Sequence, residues 1–270
     1  MAKTILAFVI SFSSLHFLYG QQLQFENQID LNFNLQDVSL DSDGQLYLVS
    51  SNGELFKFNG KGDSLFLFSP SKNAPITLVD ASMGLKIFVF YRDFQEYLLL
   101  DRFLRPSPRY SFNQDQIGFA NLATISTDQS LWILDPVDFS LKKYETKSNQ
   151  VEISSPLNRM IPIKDYEISF IKEYQNKLFI IDNVRGVYVF DNMGNYQKVI
   201  PQKGIRKPGF LGNSIYFFDK GQIIMINFHT GAKHLVPIPV LPATTAEFVR
   251  IFKNHIYLFE KERILIFRMI

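Results

Sequence analysis

Six times along the chain, a run of apolar residues of the same shape recurs. A polar residue leads, an aliphatic and then an aromatic residue follow, and further apolar positions close on a polar or acidic end. The copies occupy 45–50, 86–91, 130–135, 177–182, 214–219 and 255–260. Their aromatic positions are Tyr47, Phe88, Trp132, Phe179, Tyr216 and Tyr257, separated by 41, 44, 47, 37 and 41 residues. Short, near-continuous apolar runs read as strands covered on both faces, whereas half-exposed strands alternate strictly. A repeat near 40 residues with β-type content is the pattern of a propeller blade. Each copy is read as the second strand, b, of a four-stranded antiparallel blade.

The flanking segments supply the other strands. In the first repeat an inner strand over 37–40 meets strand b through the hairpin signal Asp43-Gly44. Turns at Asn52-Gly53 and Asn59-Gly60 then lead to strands over 54–58 and 64–68. The second repeat has strands over 76–79 and 96–100 and a weak outer one near 109–112, interrupted upstream by Pro106 and Pro108. Proline is tolerated at such an edge. The third uses 120–125, 141–144 and 151–154; the fourth 167–172, 186–190 and 196–200; the fifth 208–211, 223–227 and 234–238. The sixth has 247–252 and 264–267 and then ends one strand short, while 23–31 precedes the first repeat and belongs to none. The expected fold is therefore all-β: a six-bladed propeller whose N-terminal strand completes the last blade and closes the ring, leaving no unprotected sheet edge between the termini. A transmembrane β-barrel would need longer strands alternating apolar and polar residues. Ile215-Tyr216-Phe217-Phe218 breaks that alternation.

The first repeat, Asp43-Gly44-Gln45-Leu46-Tyr47-Leu48 followed by Asn52-Gly53-Glu54-Leu55-Phe56-Lys57-Phe58, resembles six-bladed propellers of the TolB-like and NHL-like type. The resemblance spans the mature chain in period and the full motif in the first repeat alone. The segment 126–132 is similar to an Asp-box, with Ser130 where that motif carries glycine. The Trp-Asp pair of WD40 blades and the double glycines of kelch repeats are absent. The likeness implies a disc with a central channel, an architecture usually used for binding; it does not fix a function.

Composition narrows the setting. The 270 residues are 46% hydrophobic and 15% aromatic, enough for a large β-rich core. Residues 1–20 have the form of a secretory signal peptide: Lys3, an apolar stretch from Ile5 to about Phe12, and Gly20 before a Gln-rich start at Gln21. The single domain is expected over 21–270. With 28 basic and 26 acidic residues, and one of the basic ones in the leader, the balance gives no footprint for nucleic acid. The absence of cysteine excludes disulfides, thiolate metal sites and a lipoprotein anchor. The expectation is an exported protein, periplasmic or extracellular, soluble, not a lipoprotein, and without a transmembrane segment in its mature chain.

Candidate chemistry is sparse. His229, His234 and His255 follow no metal-ligand spacing. The calcium-loop-like Asp41-Ser42-Asp43-Gly44 has Asn52 where the twelfth position needs Glu. No nucleophile elbow and no phosphate-cradling loop is present. No metal, cofactor or catalytic residue is therefore assigned. Asp135, Asp182, Asp219 and Glu260 close strand b in four repeats and should share the face that bears the b–c and d–a loops. There they would either bind or do acid–base work, or accept hydrogen bonds from loop amides. Arg92 and Arg185 lie in b–c connections on that face, and Arg159, Lys203, Arg206 and Lys207 in d–a connections. Together these ten residues are the candidate binding face. The functional expectation is a non-catalytic interaction module of the cell envelope, its partner another envelope or secreted protein. The alternative is a propeller enzyme acting on a sugar, lactone or similar small molecule through the acidic rim. A small-ligand sensor domain is the third reading.

Overall fold

A computed structural model describes residues 23–70, 74–162, 165–239 and 245–270. The leader expected over 1–20 lies outside them. Strand β1 (Leu23–Asp30) precedes five sequential blades. Blade 1 is β2 (Leu35–Leu40), β3 (Leu46–Ser50), β4 (Leu55–Phe58) and β5 (Ser64–Phe68). Blade 2 is β6 (Leu78–Asp80), β7 (Ile87–Tyr91), β8 (Glu96–Leu100) and the two-residue β9 (Tyr110–Ser111). Blade 3 is β10 (Leu122–Ile125), β11 (Leu131–Asp135), β12 (Ser140–Glu145) and β13 (Gln150–Pro156). Blade 4 is β14 (Ile168–Tyr174), β15 (Lys177–Asp182), β16 (Gly186–Asp191) and β17 (Tyr196–Ile200). Blade 5 is β18 (Gly209–Leu211), β19 (Ser214–Asp219), β20 (Gln222–Asn227) and β21 (Lys233–Pro237). Blade 6 is β22 (Phe248–Phe252), β23 (His255–Phe259) and β24 (Arg263–Met269), with β1 as its outermost strand. Among the described residues the only helix is a 3-10 turn over Arg92–Phe94.

The repeated phrase is strand b in every blade, and its period of two explains its unbroken apolarity. The aromatic of each copy points into the interface with the following blade, and the aliphatic before it points back into the preceding one. Tyr47 and Val49 of β3 thus pack with Ile87 and Val89 of β7, and Phe88 and Phe90 of β7 with Leu131 and Ile133 of β11. The same rule pairs Trp132 with Leu178 and Ile180, Phe179 with Ile215 and Phe217, and Tyr216 with Ile256 and Leu258. The sixth cluster joins Tyr257 and Phe259 to Leu46 and Leu48, so the last blade packs on the first. Antiparallel pairing of β1 with β24, from Leu23↔Met269 to Asp30↔Arg263, ties the two ends of the chain together. Burial falls outward along each blade: β3, β7 and β11 are buried at every position, while β5, β13 and β21 expose most of theirs.

Weak outer signals match what forms. Blade 2, with prolines just before its last strand, builds two outer ladder pairs, Glu96↔Ser111 and Tyr97↔Tyr110, plus an isolated bridge from Leu100 to Pro106. Proline lacks the N–H that a longer ladder requires. Glycine is required where chains approach closely: at Gly186, with φ of +127°, a Cβ would stand 2.2 Å from the Ile200 carbonyl oxygen.

Candidate functional site

The acidic ends of strand b are structural clips. Asp135, fully buried, accepts from the amides of Gly118 (2.8 Å), Phe119 (3.2 Å) and Val137 (3.0 Å) and from Lys142 Nζ (2.7 Å). The bonds to Asp135 and Asp138 outweigh burial and raise the Lys142 pKa, so the ammonium stays charged inside the blade. Asp182, also fully buried, accepts from the amides of Glu167 (3.1 Å) and Val184 (2.9 Å) through one oxygen. Glu260 accepts from the Thr245 amide at 3.1 Å and pairs with Arg263. In each case the acid ending strand b holds the loop that enters strand a of its own blade. This is the loop-amide alternative weighed from the sequence. Asp219 is half-buried and makes no such clip.

The ten candidate residues do not form one site. Arg159 and Arg206 stand exposed on the loop face. Arg185 and Lys203 share an open groove of about 970 Å³ on the flank of blade 4. Its walls include Tyr166, Tyr188 and Tyr196, with Val184, Tyr196 and Val199 among the exposed large apolar residues. Burial and the nearby Asp182 charge raise the Tyr188 pKa. Beside it two buried atoms lack any hydrogen-bond partner, Asp182 Oδ2 and Arg185 Nε. Groups of this kind are costly unless something else satisfies them.

Arg92 and Lys207 instead line a cavity of about 470 Å³ on the propeller axis, whose wall is built from all six innermost strands. Lys207 bonds to the Gln36 carbonyl, lies 3.5 Å from Asp37 and sits over the Phe248 ring at 4.6 Å. Deeper in, Asp80 pairs with Lys172 across blade 3 and accepts from Thr124 Oγ1 at 3.2 Å. Burial pushes the Asp80 carboxyl up, but Lys172 and the Ser82 hydrogen bonds outweigh it and hold the group below the usual carboxylate range. Asp80, Lys172 and Arg250 were missed from the sequence. The available signal was a charge inside an inner strand, as in Phe248-Val249-Arg250-Ile251-Phe252. Among the described residues no cluster of three or more His, Asp or Glu side chains can hold a metal ion. Nor is any helix there long and apolar enough to cross a membrane.

No family model matches the sequence, and no curated protein does. Solved structures match over most of its length. Virginiamycin B lyase from Staphylococcus aureus, a selenomethionine-substituted structure, is 12% identical with a TM-score of 0.63, over 92% of this chain and 100% of that one. BamB from Moraxella catarrhalis is 12% identical with a TM-score of 0.55, over 92% and 100%. YCF48 bound to D1 peptide is 12% identical with a TM-score of 0.55, over 90% and 96%. Identity this low carries architecture and nothing finer. The chain is, at the level of fold, a six-bladed β-propeller.

Proposed function

We propose that this chain is an exported, non-catalytic propeller that serves as a protein-interaction module of the cell envelope, and that the blade 4 groove is its contact face. The observation that carries this reading is the groove itself. Tyrosines and an arginine around a concavity are the composition of protein-interface hot spots. Lys203 and Arg185 favour a partner presenting acidic side chains beside apolar ones. YCF48 offers a precedent for the architecture, since its structure holds a D1 peptide. The enzymatic alternative loses three of its four rim acids, because Asp135, Asp182 and Glu260 are engaged with their own loops and Asp219 stands alone.

The test places a photo-crosslinking residue at Tyr196 and, separately, at Leu85, exposed on the turn between β6 and β7 of blade 2. Adducts are then read in intact cells. One discrete protein adduct from position 196, lost on Arg185→Ala with Lys203→Ala, supports the reading. Equal adducts from both positions, or none from 196, would sink it. The expected export is read from the same cells: the mature protein should begin near Gln21 by mass spectrometry and fractionate outside the cytoplasm.

A further inference from the structure

Register brings one residue from each innermost strand to an equivalent position on the channel wall. Across the ladder from Tyr47, Phe88, Trp132, Phe179, Tyr216 and Tyr257 stand Ser39, Asp80, Thr124, Lys172, Gly209 and Arg250. All six line the axial cavity. Most of this layer is laced together: Ser39 Oγ accepts from the Ala81 amide at 2.9 Å, and Asp80 takes Thr124 and Lys172. Gly209 has no side chain because a Cβ there would lie 2.2 Å from Tyr216 Cζ. The Tyr216 hydroxyl instead accepts from the Ile251 amide at 2.9 Å.

Arg250 is the exception. It is 9% exposed and makes three hydrogen bonds, all to main-chain carbonyls: Lys207 (3.0 Å), Val249 (2.8 Å) and Val38 (3.1 Å). A guanidinium has five N–H donors and stays charged in proteins. Two donors and the whole charge are thus left without an anionic partner among the described residues. The nearest carboxylates are committed elsewhere, Asp80 to Lys172 and Asp37 to the Val79 amide (3.2 Å) and Lys207. They only partly offset the burial that pushes the Arg250 pKa down. Tyr216, the remaining titratable group facing it, is held neutral by its own burial. A buried cation without a counter-charge is expensive for a fold that gains nothing from it. Leu40, Leu78, Phe170, Phe210 and Phe252, all half-buried, give the wall a large apolar share, while Asp41 is engaged by the Asp43 and Gln45 amides and the Tyr47 hydroxyl. An apolar pocket of this size with a few convergent polar groups is the form of a small-molecule site.

We propose that the axial cavity binds a small organic carboxylate on a flat apolar body, its charged end held by Arg250. The planar guanidinium matches a carboxylate in two parallel hydrogen bonds, and the phenylalanines and leucines accept the body. Arg92 and Lys207 line the same cavity and steer an anion towards it. The site is separate from the blade 4 groove, so either assignment can fail alone.

Calorimetric titration of the full chain with phenylacetate and with naphthoate, each beside its neutral amide, tests this. At least one acid should bind one-to-one, and its amide at least about tenfold more weakly. Arg250→Met should weaken the acid at least about thirtyfold. Arg250→Lys keeps the charge without the fork; it should fold and lose about tenfold, and it decides the matter if the methionine variant does not fold. Lys61→Ala, on the exposed turn between β4 and β5, should leave binding unchanged. Failure of both acids to bind, equal binding of acid and amide, or undiminished binding by the Arg250 variants would each overturn the proposal.

Discussion

Glu173 should be among the most costly side chains to remove, although it touches neither the groove nor the charged layer of the axial cavity. It lies on β14 of blade 4, 5% exposed, and reaches into blade 3. There its carboxylate accepts from Trp132 Nε1 (2.7 Å), from Ser126 Oγ (2.5 Å), and from the Thr127 amide (3.1 Å) and hydroxyl (2.8 Å). In Glu173→Ala, Thr127 is exposed and turns to water. Ser126 turns to the neighbouring Asp128 carboxylate, but the Trp132 indole, fully buried, has no such recourse. The sealed indole donor costs about 1–3 kcal/mol, and the void left by the side chain adds about 1 kcal/mol, for a total of about 2–4 kcal/mol. For a chain of this length that corresponds to a melting point lower by about 10 °C. Glu173→Gln keeps an oxygen for the indole and should lose about 1–2 kcal/mol. The assay is equilibrium urea unfolding followed by tryptophan emission, which reports this site because Trp132 is the only tryptophan in the chain. A midpoint for Glu173→Ala within about 0.5 kcal/mol of wild type, at unchanged slope, would refute the reasoning. The indole would then have found another partner.

Gly209→Ala drives a methyl group into the Tyr216 ring and breaks its bond to Ile251; it should cost about 2–4 kcal/mol by thermal melting, with the fold retained by circular dichroism. The pH dependence has two arms. Asp80 is held below the usual carboxylate range, so in acid the unfolded chain takes up the proton first. Its contribution is present above that ordinary range and is lost as pH falls through the lower folded value. Tyr91 is pushed by burial from 10.0 up to about 12. Its contribution is therefore full below pH 10 and lost between pH 10 and about 12, where the unfolded chain ionises first. Denaturant midpoints measured across pH should fall at both ends, and a flat alkaline arm would contradict the burial of Tyr91.

The resemblance to TolB-like and NHL-like propellers and the spacing of the aromatics pointed to the same architecture, and several strands coincide with their sequence limits, β5, β8 and β17 among them. These features are legible because they are local. A strand buried on both faces must be apolar at every position, and a hairpin needs a residue that accepts positive φ, as Gly44 and Gly53 do. The unpaired N-terminal strand and the vacancy in the last blade implied each other by simple accounting, and β1 fills that place by pairing with β24.

What the chain does with its charges was decided by tertiary structure alone. Asp135, Asp182 and Glu260 share a position in the repeat, but whether a carboxylate faces a channel or its own loop depends on backbone amides brought in from 15 to 17 residues away. Arg185 and Lys203 meet only because blade 4 curls its outer strands beside two separate loops. Arg250, Lys172 and Asp80 lie 78 and 92 residues apart in steps along the chain and look like isolated interruptions of apolar strands. Ring closure sets them in one layer, because equivalent register positions on six innermost strands converge on a single axis. Periodicity carries the architecture, since one strand's burial is written in its own residues. The sites arise between blades, where partners distant in sequence share a low-dielectric space and decide which charges are answered.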